Sequence, residues 1–372
     1  MSIPSYSVIT TPVTMDRHRT GSENHGTSAM RNKLWVLVFV LVVFAQAHAD
    51  AAFLLEEPFG RFGSFNPTGH AAVYLTRVCA ASPTRLRRCE PGQAGVIISR
   101  YYKVAGYDWL VIPLLPYVYA VDSPQDIPRS ANAQSVAALR DAYRRDHLLA
   151  IAPSNAEGRA PEGEWVQLIG SAYDRKLYGF RIETSPGQDD AFIKQFNNQK
   201  NTSHFNLLFH NCADFARTVL NSYYPHAVHR NLFGYAGITT PKQVAKSLVS
   251  YCRHHPDVMC SSFAIPQVSG SIHRSGPADD LFEALLNTNK YVLPRAILHP
   301  VVTDSLAVAR LIEGRFNPRR NAAVFDVDSA VQPQWAETAI PMVPNFTFES
   351  RISSAISPKG AESEWTTRAG GK

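Results

Sequence analysis

The sequence contains no block of lysine and arginine, no glycine-rich phosphate loop, no paired-carboxylate motif and no Gly-x-Ser-x-Gly elbow. These gaps remove the usual signals of nucleic-acid, nucleotide, glycosidase and serine-hydrolase chemistry. Charge of one sign is also scarce: 37 basic residues stand against 31 acidic ones, and the densest basic cluster is only Arg85, Arg87 and Arg88. So dispersed a surplus predicts no nucleic-acid partner. No self-similar period marks a solenoid or propeller. Long apolar runs are missing too: residues 34–44 form an unbroken run of 11, short of the ~20 that span a bilayer.

What is present is the composition of a folded protein, 372 residues of which 45% are hydrophobic and 10% aromatic. That length predicts one main core with extensions. The apolar run follows the basic Met30-Arg31-Asn32-Lys33 and precedes the small-x-small pattern Ala47-His48-Ala49. Residues 30–49 therefore read as a secretory signal peptide, and residues 1–29 as a leader or an over-called start before Met30. The competing reading is a membrane anchor over 34–47. Loss of residues 1–49 removes four basic and two acidic residues and leaves a mature chain near +4. A periplasmic or secreted protein of that charge is compatible with contact at an anionic membrane surface.

Five cysteines are an odd number. In an oxidising compartment disulfides are the default, and the simplest pairing is local, Cys79 with Cys89 and Cys252 with Cys260. Cys212 is then left over. The stretch from Cys252 through His254 and His255 to Cys260 also concentrates metal-ligating side chains, but its spacing matches no common zinc module. Neither a metal nor a cofactor is expected.

Period and punctuation place strands at 70–78, 95–103, 165–170 and 177–183. Helices are predicted over 132–149, over 189–199, from Cys212 onward, and over 241–252 with Thr240 as N-cap and Pro241 in the first turn. The apolar run 109–119 is interrupted by Pro113 and Pro116, which argues against a central strand there. It would suit an acyl chain or a membrane surface, but a buried core segment is the plainer reading. Together these elements give an α+β fold, an antiparallel sheet packed against helices. Residues 226–302 read as a helical extension, and 303–372, rich in Pro, Ser and Asn, as a loosely ordered tail.

The odd cysteine sits where chemistry is favoured. A thiol reacts as its thiolate, and the free amides and dipole of a helix N-terminus stabilise that form. Asn211 is suited to cap the helix and to support an oxyanion site beside Cys212. A histidine on a rigid strand would serve as general base. His204 and His210 lie close in sequence but are poorly aimed from a strand entering the helix, so they read as neighbours or supports.

Two segments carry a resemblance: Gly69-His70-Ala71-Ala72-Val73-Tyr74-Leu75, and His210-Asn211-Cys212-Ala213-Asp214-Phe215. They resemble the circularly permuted papain-like hydrolases, which group the NlpC-type peptidoglycan peptidases with the lecithin:retinol acyltransferase-like enzymes. The resemblance implies Cys212 as nucleophile, His70 as general base, and a permuted papain-like core over about 60–225 with residues 105–165 inserted. It also implies cell-wall peptide or acyl lipid as substrate. The acyltransferase-like branch has a second histidine about a dozen residues after the first, where this chain has Ser82, so no third catalytic group carries over. Two functions follow as expectations: an exported cysteine hydrolase or acyltransferase, or a catalytically silent binding or structural protein of the same fold.

Overall fold

The computed structural model describes residues 49–60, 67–230, 237–280, 283–284, 316–320 and 322–325. The leader, signal-peptide and anchor readings, and most of the tail, lie outside the described residues. The chain divides into two units, residues 1–47 and 48–372, and only the second is described.

Five apolar residues in succession, Ala51 to Leu55, form the middle of β1 (Ala49–Glu56). A strand that is apolar on both faces belongs between two covering layers, and β1 is central in a seven-stranded sheet of order β6-β5-β2-β1-β7-β8-β9. Its neighbours are β2 (His70–Leu75) and β7 (Leu177–Thr184), both antiparallel to it. Beyond β2 lie β5 (Val96–Ser99) and the edge strand β6 (Leu110–Pro113). Beyond β7 lie β8 (Cys260–Ile265) and the two-residue β9 (Ala323–Val324), whose pairing with β8 is the sheet's parallel one. A separate hairpin joins β3 (Val78–Ser82) to β4 (Arg85–Arg88).

The period of two assigns the strand residues to opposite faces. Ala52, Leu54, Ala72, Tyr74 and Ile97 pack with α1 (Leu114–Tyr119), α2 (Ala133–His147) and α3 (Ser171–Asp174). Phe53, Leu55, Val73 and Ile98 pack with α4 (Pro186–Asn198), α5 (Cys212–Tyr223) and α6 (Pro241–His254). The fold is therefore α+β, a mostly antiparallel sheet with helices on both faces.

Sequence and structure differ in instructive places. The sheet reaches beyond 60–225 at both ends, since β1 precedes that span and β8 follows it. Residues 165–170 are not a strand: Glu164–Leu168 is a 3₁₀ turn, in which Trp165 and Leu168, three apart, are both buried. The run 109–119 is buried as β6 and α1, so it offers no surface to an acyl chain or membrane. Its first proline closes an edge strand, the position a missing N–H tolerates.

Both expected disulfides are present, Cys79–Cys89 with Cα atoms 4.8 Å apart and Cys252–Cys260 with Cα atoms 6.2 Å apart. They fit an oxidising, exported environment. Among the described residues no helix is long and apolar enough to cross a membrane.

Gly179 is held by packing. It pairs across strands with Phe263, and a Cβ at position 179 would sit 2.1 Å from that ring. We expect Gly179→Ala to lower stability by about 1–3 kcal/mol, the usual cost of overpacking, as read from the midpoint of urea unfolding.

Candidate active site

His70 opens β2 directly opposite Glu56, the last residue of β1. The approach is close enough to require glycine before it: Gly69 has φ +78°, and a Cβ there would lie 2.1 Å from the Glu56 carbonyl oxygen. The Pro-Thr-Gly preceding the histidine thus lets the chain turn tightly onto the sheet.

Cys212 is the first residue of α5, which packs on β2. Phe215, Val219 and Leu220 bury the apolar face of that helix, leaving its N-terminus beside the start of the strand. The backbone amides of Ala71 and Ala213 both favour the thiolate form of the cysteine. Ala71 is the residue after His70. The thiol is free, and it lines with His70 a cavity of about 600 Å³.

One hydroxyl fixes the state of the imidazole. Ser99, at the end of β5, donates to the Ala71 carbonyl at 2.7 Å, and its oxygen lies 3.0 Å from His70 Nε2. A serine has one proton to give. With that proton committed to a carbonyl, which can only accept, Ser99 Oγ must accept from Nε2–H, and the lone pair resides on Nδ1. Tyr101 stacks on the same ring at 5.2 Å.

Behind the histidine is a buried polar cluster. The Glu56 carboxylate accepts a short hydrogen bond from Tyr117 and pairs by charge with Arg175 at 2.9 Å, without hydrogen-bond alignment. Arg175 also lies over the Phe59 ring. A second guanidinium on the cavity, Arg100, is paired with Asp108 at 2.7 Å.

Burial dominates the electrostatics. It pushes the Cys212 thiol up to about 11, with the Glu56 charge adding to the shift and the two backbone amides opposing it. Burial, followed by the Arg175 charge, holds His70 well below the usual imidazole range. Burial also raises the Glu56 carboxyl, against the pull of Arg175 and Tyr117. The helix N-terminus therefore does not deliver the depressed thiol pKa that its position predicts. The resting pair is a neutral thiol and a neutral imidazole.

Asn211 caps α5 as expected, its Oδ1 accepting from the Asp214 amide at 2.9 Å. Its Nδ2 is spent on the Leu207 and Thr239 carbonyls, each at 3.0 Å. It is a positioning residue: both ends of its side-chain amide hold the helix start in place. His204 and His210 are exposed, the first on an irregular stretch and the second in an isolated bridge with Asn206, and neither lines the cavity. Asp214 pairs with Arg217 and Arg230. Cys79, Cys89, Cys252 and Cys260 are all in disulfides, which leaves no thiolate for the zinc reading. Among the described residues no group of three or more His, Cys, Asp or Glu is placed to hold a metal.

Ser99, Tyr101 and the Glu56–Arg175 pair were not singled out from sequence. The one signal for Ser99 was a lone polar residue ending the apolar run Val96-Ile97-Ile98. No family model matches the chain, and neither a curated protein nor a solved structure does.

The thiol state is directly measurable. We expect iodoacetamide to label Cys212 about tenfold more slowly than free cysteine at pH 8. A thiol pushed up to about 11 has a thiolate fraction about a hundredfold below that of an ordinary thiol, and the greater nucleophilicity of a more basic thiolate restores part of the rate. The rate should go on climbing toward pH 11; a plateau below pH 8.5 would contradict the neutral resting pair.

Proposed function

We propose that this protein is an exported cysteine hydrolase or acyltransferase of the permuted papain-like kind, with residues 30–49 as its signal peptide. The observation that carries this reading is the meeting of α5 and β2: a free thiol in one cavity with an imidazole whose tautomer Ser99 dictates. An amide, ester or thioester carbonyl is attacked by Cys212 Sγ as the thiol proton passes to His70 Nδ1. The carbonyl oxygen becomes an oxyanion, for which we assign the backbone N–H of Cys212 as donor. The carbon–leaving group bond then breaks, the imidazolium returns its proton to the departing amine, alcohol or thiol, and the acyl group remains on sulfur as a thioester. Water or a second nucleophile, deprotonated by the same imidazole, releases it.

In this reading proton transfer accompanies attack and does not precede it. A low imidazole pKa suits that role, because the imidazolium is a strong acid toward the leaving group. Ser99 is a positioning residue and completes the group that no sequence motif supplied. Cell-wall peptide and acyl lipid both present a suitable carbonyl.

The second reading, a catalytically silent binding protein, is favoured by the same burial that pushes the thiol up to about 11. A p-nitrophenyl ester separates the two. We expect burst release and a mass gain on the Cys212 peptide, abolished in Cys212→Ala and reduced by at least about a hundredfold in His70→Ala. Ser99→Ala should cost about tenfold in kcat, roughly one hydrogen bond, with a changed pH profile and little change in KM. Turnover that survives Cys212→Ala would overturn the enzyme reading.

A further inference from the structure

Buried side-chain donors are nearly always hydrogen-bonded, and those that are not mark strain, function or a place for an ion. Such groups gather around this cavity. Arg175 Nε, Arg100 Nε and the Thr239 hydroxyl are buried without a hydrogen-bond partner, and all three residues line it. Two acceptors, Glu56 Oε2 and Asp108 Oδ1, are in the same condition, but neither residue belongs to the described lining. Donor capacity is therefore left over on the cavity wall, and the acceptors left over lie outside it.

The two guanidinium groups are held in place. Arg175 is 4% exposed and Arg100 11%. Arg175 lies over the Phe59 ring at 4.7 Å and Arg100 over the Phe215 ring at 5.2 Å. Each guanidinium has five N–H donors. Arg100 spends one of them, from Nη2, on Asp108 at 2.7 Å. Among the described residues Arg175 makes no side-chain hydrogen bond, its 2.9 Å approach to Glu56 being one of charge alone. The carboxylate of the described lining, Glu164, accepts from Gln167.

A neutral carbonyl would use one such donor, whereas a pair of anionic oxygens uses two from the same planar fork. Each arginine already has a carboxylate to balance its charge, so a dianion would be poorly compensated in so buried a place. A carboxylate carries one charge on two coplanar oxygens and fits. The position is also next to the chemistry: burial sets the states of both reacting groups, and the Arg175 charge acts on His70 and on Cys212 as well. The Thr239 carbonyl accepts from Asn211, the cap of the helix that Cys212 begins.

We propose that Arg100 and Arg175 form a carboxylate subsite in this cavity, so that the compound Cys212 meets carries a carboxylate beside the carbon that the sulfur attacks. In naming a substrate class, acyl compounds with a free carboxylate, the proposal rests on the enzyme reading; the subsite itself does not.

Iodoacetate and iodoacetamide bring the same leaving group to the same sulfur and differ in a carboxylate against an amide. Cys212 is the free thiol they would report, since the other four cysteines are in disulfides. The ratio of the two rates on Cys212, divided by the same ratio on free cysteine, does not depend on the thiol pKa, because one thiolate attacks both reagents. We expect that quotient to be at least about tenfold in the wild type at pH 8, and to fall when sodium acetate replaces sodium chloride at equal ionic strength. Arg175→Gln with Glu56→Gln, and Arg100→Gln with Asp108→Asn, each remove a pair whole and leave no uncompensated buried charge. Each should bring the quotient down toward that of free cysteine. A wild-type quotient near one overturns the subsite without any variant having to fold. So does a raised quotient that either pair variant keeps, or one that dimethyl phosphate lowers and acetate does not. The ester burst tests the enzyme reading separately: a raised quotient without a burst upholds the subsite in a binding protein, and a burst with a quotient near one overturns the subsite in a working enzyme.

Discussion

The structure depends on one strand being buried on both faces and both edges. Residues 51–55 have essentially no exposure, so β1 needs a hydrogen-bonded neighbour on each side and a helical layer above and below. Its register with β2 then fixes everything at the strand ends. A slip of one residue would reverse which side chains face each layer and would move His70 away from Glu56. The helix bearing Cys212 packs on the same face as Phe53, Leu55 and Val73. The thiol and the imidazole are thus brought together by two consequences of a single hydrophobic constraint.

The wall behind the imidazole shows how polar groups are kept inside such a core. Glu56 and Arg175 are both buried, and a buried ion pair gains little net stability once its desolvation is counted. Tyr117 shares the carboxylate, and Phe59 covers the guanidinium. The result is a buried backing for the cavity. It keeps His70 neutral and gives Tyr101 a fixed platform from which to stack on the ring.

Much of this was legible from the chain. The capped helices at Thr240 and Asn211 stood out because capping side chains and apolar period coincide, and the local disulfides because their cysteines are so near. β1 was missed because an unbroken apolar run has no period to read, and because its first residue, Ala49, is also the last of a segment that looks like an export signal. β8 was missed because Cys260-Ser261-Ser262 is polar in composition, although Ser261 and Ser262 are buried in the sheet. At the site, Cys212 and His70 were legible from local pattern and resemblance. Ser99 was not, since its role arises from a bond across 29 residues, and the thiol's raised pKa was not, since burial is a property of the whole fold.

The raised pKa also bears on covalent integrity. A molecule with two disulfides and one unpaired cysteine holds everything needed to shuffle its own pairings, because exchange starts when a thiolate attacks a disulfide sulfur. A thiol pushed up to about 11 is ionised at pH 7 in only about one molecule in ten thousand, and the described lining of the cavity that Cys212 faces includes none of the four disulfide cysteines. The burial that keeps Cys212 a thiol therefore also protects the connectivity of the two disulfides once the chain has folded.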